Sequence, residues 1–393
     1  MRGLRKYLTP FAPDQSGAVS VLYELGGLIA ICDAGGCTGN VCGFDEPRWF
    51  EQKSALFSAG LRDMDAILGR DDRLVEKLVD AASKLDVKFV AIIGTPVPAV
   101  IGTDYKALGR MCEKRLNMPV ITIDTDGMEL YDVGEEKAWL ELFRTFTEKG
   151  NPNLDIEKKR GKIGVLGLTP QDISDLRAPK KIREYYQEKE GKEAICYCMG
   201  ENVCRSTYGL DNHRTAGEVE KNIVVSPAAL AAAKYLEKTF GTPYEVTYPI
   251  VEELVPDMDY RRKKILIVHQ QVIGNAMRAE IRRRCQKVNG DPSVDNNAVI
   301  TVASWFMMKQ ELSEEGDISL REEDDYMELI KEEDYDIVFA DPMMKRMTED
   351  AYKIAGTGYA ADAYETERKR IFIDATHFAV SGKLREEMKK REA

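Results

Sequence analysis

Three cysteines, Cys32, Cys37 and Cys42, recur at five-residue intervals in the glycine-rich stretch CDAGGCTGNVCGF, residues 32–44. Thiolates are soft ligands that suit iron–sulfur clusters and zinc. Glycine in such a turn lets the backbone approach a cluster and aim N–H groups at its sulfides, which makes Gly36 a candidate for cofactor contact. The spacing is neither the CxxC of a zinc finger nor a ferredoxin run. Two readings therefore stand side by side. In one, all three thiols bind metal; in the other, Cys32 closes a strand as a small core residue and Cys37 alone carries chemistry.

A second group, Cys196, Cys198 and Cys204 in CYCMGENVC, also follows an apolar run. It reads either as a metal or pocket group or as ordinary strand-end and loop thiols. Cys112 and Cys285 fall in helical patterns and read as buried apolar thiols. The three histidines form no HExxH pair. His377, in DATHFAVSG, follows a strand and is placed to serve a pocket. His269 reads as the end of a core strand, and His213 as part of a polar loop. No GxxxxGK[ST], GxGxxG or Gly-x-Ser-x-Gly is present, so neither ATP, a dinucleotide nor a serine nucleophile is expected by those routes.

The elements that must position these residues alternate strand and helix. The chain has 393 residues, 44% hydrophobic and 31% charged, which fits a globular protein of roughly two or three domains. Its net charge of −11 argues against nucleic acid as the main partner. No apolar run reaches the ~18–20 residues of a membrane helix. The start, MRGLRKYLTPFAPDQSG, lacks an apolar signal core, so a cytoplasmic protein with reduced thiols is expected.

Short Ile- and Val-rich runs predict strands at residues 27–33, 88–95, 119–124, 162–168, 193–198, 222–226, 262–269, 298–304, 336–341 and 370–374. Helices are predicted over 72–85, 105–116, 176–188, 227–240 and 275–285, the fourth capped by Ser226 with Pro227 in its first turn. The acidic run 311–333 reads as a solvated helix with its approach loop. Buried strands alternating with amphipathic helices imply parallel sheets covered on both faces. A charged linker at 148–161 separates a domain over 1–150 from a second over 161–258, and a third follows over 262–393. The predicted fold is α/β, with three Rossmann-like domains whose parallel sheets are flanked by helices. In such sheets ligands gather at the carboxyl ends of strands, where Cys32, Thr95, Cys196, Cys198, Ser226, His269 and His377 all stand.

The order of several motifs resembles nitrogenase component 1 and its relatives. These are QSGAV (15–19), GGC (35–37), FSAGLRDMDAILGRDDRLVEKL (57–78) with its Ile67-Leu68-Gly69 turn, and IIGTPVPAVIGTDYKAL (92–108). They continue with NIVVSPAALAAAKYLEKTFGTPYEVTYPI (222–250), RKKILIVHQQVIGNAMRAEIRR (262–283) and IDATHFAVSG (373–382). The resemblance implies three Rossmann-like domains around a metallocluster and a low-potential reductase. Its electrons would come from a separate, ATP-hydrolysing iron protein, in keeping with the missing P-loop. The departures shape the expectation further. Of the three family cysteines, Cys37 is retained, while Ser16 and Thr95 occupy the other two positions. Ser226 stands where dinitrogen reductase places a cysteine for its large cofactor, and His377 at the family's histidine segment.

Dinitrogen fixation is therefore not expected. A single [4Fe–4S]-type cluster at or near an interface is, with Cys32 and Cys42 completing the ligands of Cys37, or with a paralogous subunit or a second copy supplying them. Cys196, Cys198, Ser226 and His377 are the candidate cavity residues. A maturation scaffold for a metallocluster or tetrapyrrole, or a cluster-free binding protein, are the alternatives.

Overall fold

The structure, a computed structural model, describes residues 5–50, 52–62, 71–148, 159–199, 210–287, 297–354 and 370–378. Among these, the strands form three sheets, and every pairing between them is parallel. The first sheet contains β1 (Leu28–Ile31), β2 (Ala55–Ser58), β3 (Val90–Ile93) and β4 (Val120–Ile123), in the order β2-β1-β3-β4. The second contains β5 (Lys159–Leu166), β6 (Glu193–Cys196), β7 (Val219–Val224) and β8 (Tyr244–Val246), in the order β6-β5-β7-β8. The third contains β9 (Lys264–Val268), β10 (Val299–Ser304), β11 (Ile318–Ser319), β12 (Ile337–Ala340) and β13 (Ile371–Asp374), in the order β11-β10-β9-β12-β13.

Central strands such as β1 and β3 are buried at every position, because helices cover both faces of a parallel sheet. Helices Asp71–Ala82 and Tyr105–Leu116 turn Leu74, Val75, Leu78 and Leu108 into the same core as Leu28, Ala30, Val90 and Ile92. The chain divides into two compact units. One is formed mainly by Phe11–Val246 and holds the first two sheets; the other, mainly Thr247–His377, holds the third.

Within the larger unit, helices Asp14–Leu22 and Tyr131–Phe146 cross with their backbones touching. A Cβ on Gly17 would lie 1.9 Å from the Tyr131 carbonyl oxygen, and one on Gly134 would lie 1.7 Å from that of Asp14. No side chain fits at either position, so only glycine permits the crossing. The crossing sets where Tyr131, Glu135, Trp139 and Phe143, spaced four apart along one buried face, meet the rest of the unit.

Two expectations change. The acidic helix Glu323–Glu333 is not wholly solvated: Tyr326, Met327, Leu329 and Ile330 are buried, and the buried Glu323 accepts the backbone N–H groups of Lys6, Tyr7 and Leu8 at 2.7, 2.9 and 2.6 Å. A carboxylate with three donors tolerates burial, which charge counting does not reveal. His213 is not in a polar loop but buried in the short helix Asp211–Arg214, packed against the rings of Phe143 and Tyr197. The Ile67-Leu68-Gly69 turn, Cys204 and most of the linker at 148–161 lie outside the described residues.

Candidate metal and polar sites at the strand ends

Each sheet reverses its strand order once, at β1/β3, β5/β7 and β9/β12, and the loops leaving such a pair open a crevice at their carboxyl ends. Residues singled out in the sequence make hydrogen bonds at all three. At the first, the Thr95 hydroxyl donates to the Cys32 carbonyl at 2.6 Å. At the second, the Ser226 hydroxyl donates to Asp172. At the third, the His377 backbone N–H donates to Asp341 at 3.0 Å, and its ring stacks on that of His269 with centroids 4.6 Å apart.

The cysteine turn leaves β1. Gly35 has φ +118°, a conformation that only glycine takes readily, and it starts the short helix Gly36–Asn40. Asp33, itself buried, fastens the turn by accepting from the Thr38 backbone at 2.7 Å, the Thr38 hydroxyl at 3.0 Å and the Ser58 hydroxyl at 2.6 Å. A π-helical turn, Val41–Asp45, follows and carries Cys42; such turns are rare and concentrate at functional sites. Nothing lies within 4 Å of a Cβ built on Gly36, so the space beside it is open.

The three thiols differ. Cys32 is packed among Leu28, Ala30, Leu74 and Val90, and burial, with Asp33 adding, pushes its pKa up to about 12. Cys37 and Cys42 are partly exposed. Burial first, then Asp33, raises the Cys37 thiol, while burial raises that of Cys42 against the pull of Lys53. Neither is a free thiolate, so metal binding here must displace a proton. Ser16 donates to Asp45 at 2.7 Å and is buried, as is Thr95; both hydroxyls are committed to holding the turn. Among the described residues no three His, Cys, Asp or Glu side chains converge on a metal-sized site.

Large apolar side chains stand exposed in the same connections. Phe44 is 83% exposed, Val100 86% and Met128 81%, with Val97 and Ile101 beside Val100 on the helix Pro96–Ile101. They follow the carboxyl ends of β1, β3 and β4. Single exposed apolar groups need no explanation, but several in connections leaving the same end of one sheet are the pattern of an interaction surface.

Behind the turn, Arg48 is completely enclosed. It donates to Glu46 at 2.7 Å through both Nε and Nη2, to Glu24 at 2.9 Å and to the Ser20 carbonyl at 2.7 Å. A longer bond of 3.3 Å reaches the Cys198 carbonyl. The guanidinium also lies 4.7 Å from the centre of the Tyr23 ring. Glu46 and Glu24 hold its pKa above the ordinary value against the effect of burial, so it remains charged.

At the second sheet the candidates are sealed. Cys196 is buried, with its thiol 3.6 Å from the Pro179 carbonyl. Cys198 has φ +72°, an uncommon backbone for a non-glycine residue, and its buried sulfur lies 3.9 Å from His213 Nε2. Burial holds its thiol well above the ordinary range. Ser226 caps the following turn by accepting from the Ala228 N–H at 3.2 Å. Asp172 accepts from both Ser226 and the Tyr131 hydroxyl, the latter at 2.6 Å. Glu135 accepts from the Thr169 hydroxyl at 2.6 Å through one oxygen only.

At the third sheet, His377 and His269 are buried with the Phe306 ring, 4.6 Å from that of His377. His269 Nδ1 accepts the Gln270 N–H at 2.8 Å, and burial, with His377 beside it, holds the imidazole neutral well below its ordinary pKa.

Sequence reading passed over Asp33, Arg48, Tyr131, Glu135 and Asp172. One signal was available: an acidic residue amid apolar ones at four-residue spacing, as Glu135 is between Tyr131 and Trp139, marks a buried carboxyl. Arg48 offered none, because its partners are spread from Ser20 to Cys198.

Comparison with known proteins adds three findings. The family described as nitrogenase component 1 type oxidoreductase matches residues 16–251. Two curated relatives are nitrogenase iron-molybdenum cofactor biosynthesis proteins NifE. That of Bradyrhizobium diazoefficiens is 23% identical over 194 residues, 48% of this chain and 32% of the relative. That of Clostridium pasteurianum is 26% identical over 200 residues, 50% of this chain and 40% of the relative. The match thus spans less than half the length of either relative. The solved structure of nitrogenase Cp1 at pH 6.5 superposes with a TM-score of 0.64 at 14% identity, covering 99% of this chain and 93% of the other. The same protein at pH 5 gives 0.61 at 14% identity, covering 88% and 82%.

Proposed function

The chain belongs to the nitrogenase component 1 type oxidoreductases, and from that premise we propose that it is the cluster-carrying subunit of an iron–sulfur-dependent reductase. Its electrons come from a separate ATP-hydrolysing iron protein, and its own sequence has no GxxxxGK[ST]. The observation that carries the reading is the pair of partly exposed thiols, Cys37 and Cys42, on a glycine-permitted turn that also exposes Phe44, with exposed Val97 and Val100 following the neighbouring strand β3.

The donor set fits iron. Two thiols per chain are half of the four ligands that a [4Fe–4S] cluster takes. A second copy or a paralogous subunit supplies the other two across the apolar surface. When bound, the cluster supplies one-electron storage at low potential. Cys37 and Cys42 give up their protons to bind iron. Asp33 keeps their spacing through its bonds to Thr38 and Ser58, while the apolar rim excludes water once it is covered. Gly36 leaves open space beside the turn, and Ser16 and Thr95 support it. Cys196, Cys198 and Ser226, at the end of the second sheet, are proposed as residues that serve the substrate and not as metal ligands; His377 is proposed separately, at the end of the third sheet.

Oxygen-free protein, purified with its partner subunit where one exists, is assayed for iron, sulfide and an EPR signal, beside Cys37→Ser and Cys42→Ser. Expected are iron and sulfide in the wild type, their loss in both variants, and reduction of the signal by an iron protein with MgATP. Wild type without iron would refute the reading.

A second reading is favoured by the relatives, both described as cofactor biosynthesis proteins: a scaffold that matures a metallocluster or tetrapyrrole and passes it on. Transfer of labelled iron to an acceptor protein, without turnover, would select it.

A further inference from the structure

The crevice at the second sheet contains two carboxyl groups that the cluster site does not use. Glu135, on helix Tyr131–Phe146, is fully buried. Its Oε1 accepts from Thr169, two positions past Gly167 in the loop leaving β5, and its Oε2 has no hydrogen-bond partner. Asp172, in the same loop, is filled differently: one oxygen accepts from Tyr131 and the other from Ser226. The pattern is asymmetric. Hydroxyl donors suit a carboxylate on Asp172, whereas an orphan oxygen in a dry site costs least when it carries a hydrogen.

The charges facing Glu135 point the same way. Asp172 and Asp132 are the nearby acids, and Tyr131 and Cys198 are neutral groups coupled to it. Arg48, the cation among its largest influences, is already engaged by Glu46 and Glu24. The charge of Asp172 thus disfavours ionisation of Glu135. Burial first, then Asp172, raises the Glu135 pKa well above its ordinary 4.5.

We propose that Glu135 and Asp172 form a one-proton acid pair, with Glu135 the neutral member, and that Glu135 Oε2–H serves as the proton donor at this end of the second sheet. In the donating step one O–H bond at Oε2 breaks and one forms on the accepting oxygen or nitrogen. Glu135 becomes a carboxylate, no electron moves, and solvent returns the proton. The repulsion from Asp172 makes the return favourable, so the pair resets itself. This is independent of the cluster: iron content and carboxyl protonation are read by different measurements.

Infrared difference spectra of the resting protein across about pH 5–8 test it. The expected result is a protonated-carboxyl band near neutral pH that shifts in D2O, shifts with 13C-glutamate, and is lost in Glu135→Gln. In Asp172→Asn the like charge is gone, so the band titrates away at lower pH than in the wild type. Labelled wild-type protein makes the assignment even where a variant fails to fold. A 13C-glutamate-sensitive band absent from the wild type at neutral pH overturns the proposal, and so does a titration unchanged in folded Asp172→Asn.

Discussion

At the first sheet the turn after β1 leaves Cys37 and Cys42 partly exposed beside Phe44, whereas at the second sheet Cys196, Cys198, Ser226 and Asp172 are buried, with Ser226 bonded to Asp172. Both places are carboxyl-end crevices of parallel sheets with equivalent strand order. What differs is how the polar groups are satisfied. At the turn, hydroxyls and Asp33 hold the backbone and leave two sulfurs over. At the second crevice, the Ser226, Tyr131 and Thr169 hydroxyls are spent on carboxylates. One topology thus yields a partly exposed thiol turn at one sheet and a buried, bonded polar cluster at another.

The comparison can be broken from either side. The largest stability effect is expected at Arg48, whose charge ties the loop after the turn to helix Asp14–Leu22 and to Cys198. Arg48→Met leaves Glu46 and Glu24 without their cation, and a loss of about 3–5 kcal/mol is expected in chemical denaturation. Ser226→Ala removes a cap and one donor to Asp172, for which about 1–3 kcal/mol is expected by the same measurement. If Ser226→Ala proves neutral, the second crevice is not sealed as described.

The Glu135→Gln variant sharpens the contrast through pH. Because the folded-state pKa of Glu135 is raised, proton binding favours the folded state fully below about pH 4.5. That contribution is lost as pH climbs from there through the raised folded value. Stability of the wild type should therefore fall relative to Glu135→Gln as pH rises above 4.5, and parallel curves would contradict the acid pair. The smallest stability effect belongs to the exposed rim. Phe44→Asp should change monomer stability by no more than about 0.5 kcal/mol while reducing association in analytical ultracentrifugation. Unaltered association would remove the surface from the argument.

Much of the architecture was legible in the chain itself. Runs such as GLIAICD and KILIVH became β1 and β9 because a strand buried on both faces has no polar alternation to obscure it. The strands that escaped notice, β2, β8 and β11, are short and only partly buried, so no apolar run announces them. Helix Tyr131–Phe146 was missed because Asp132, Glu135 and Glu136 interrupt its apolar spacing. The cysteine turn was legible from residue type alone. Its inequality was not, since the depth of Cys32 depends on Leu74 and Val90, far along the chain. The pairing of Ser226 with Asp172, 54 residues apart, leaves no local trace at all.

The touching backbones at Gly17 and Gly134 bear on how a disturbance would travel. With no side chains between them to yield, the two helices have no compressible layer at that point, and a push on one is passed to the other undamped. Ser16 and Tyr131 lie beside that joint, the first bonded to Asp45 below the cysteines and the second to Asp172. If the turn carries iron as proposed, a shift there would reach the Tyr131–Asp172 bond through the two touching backbones.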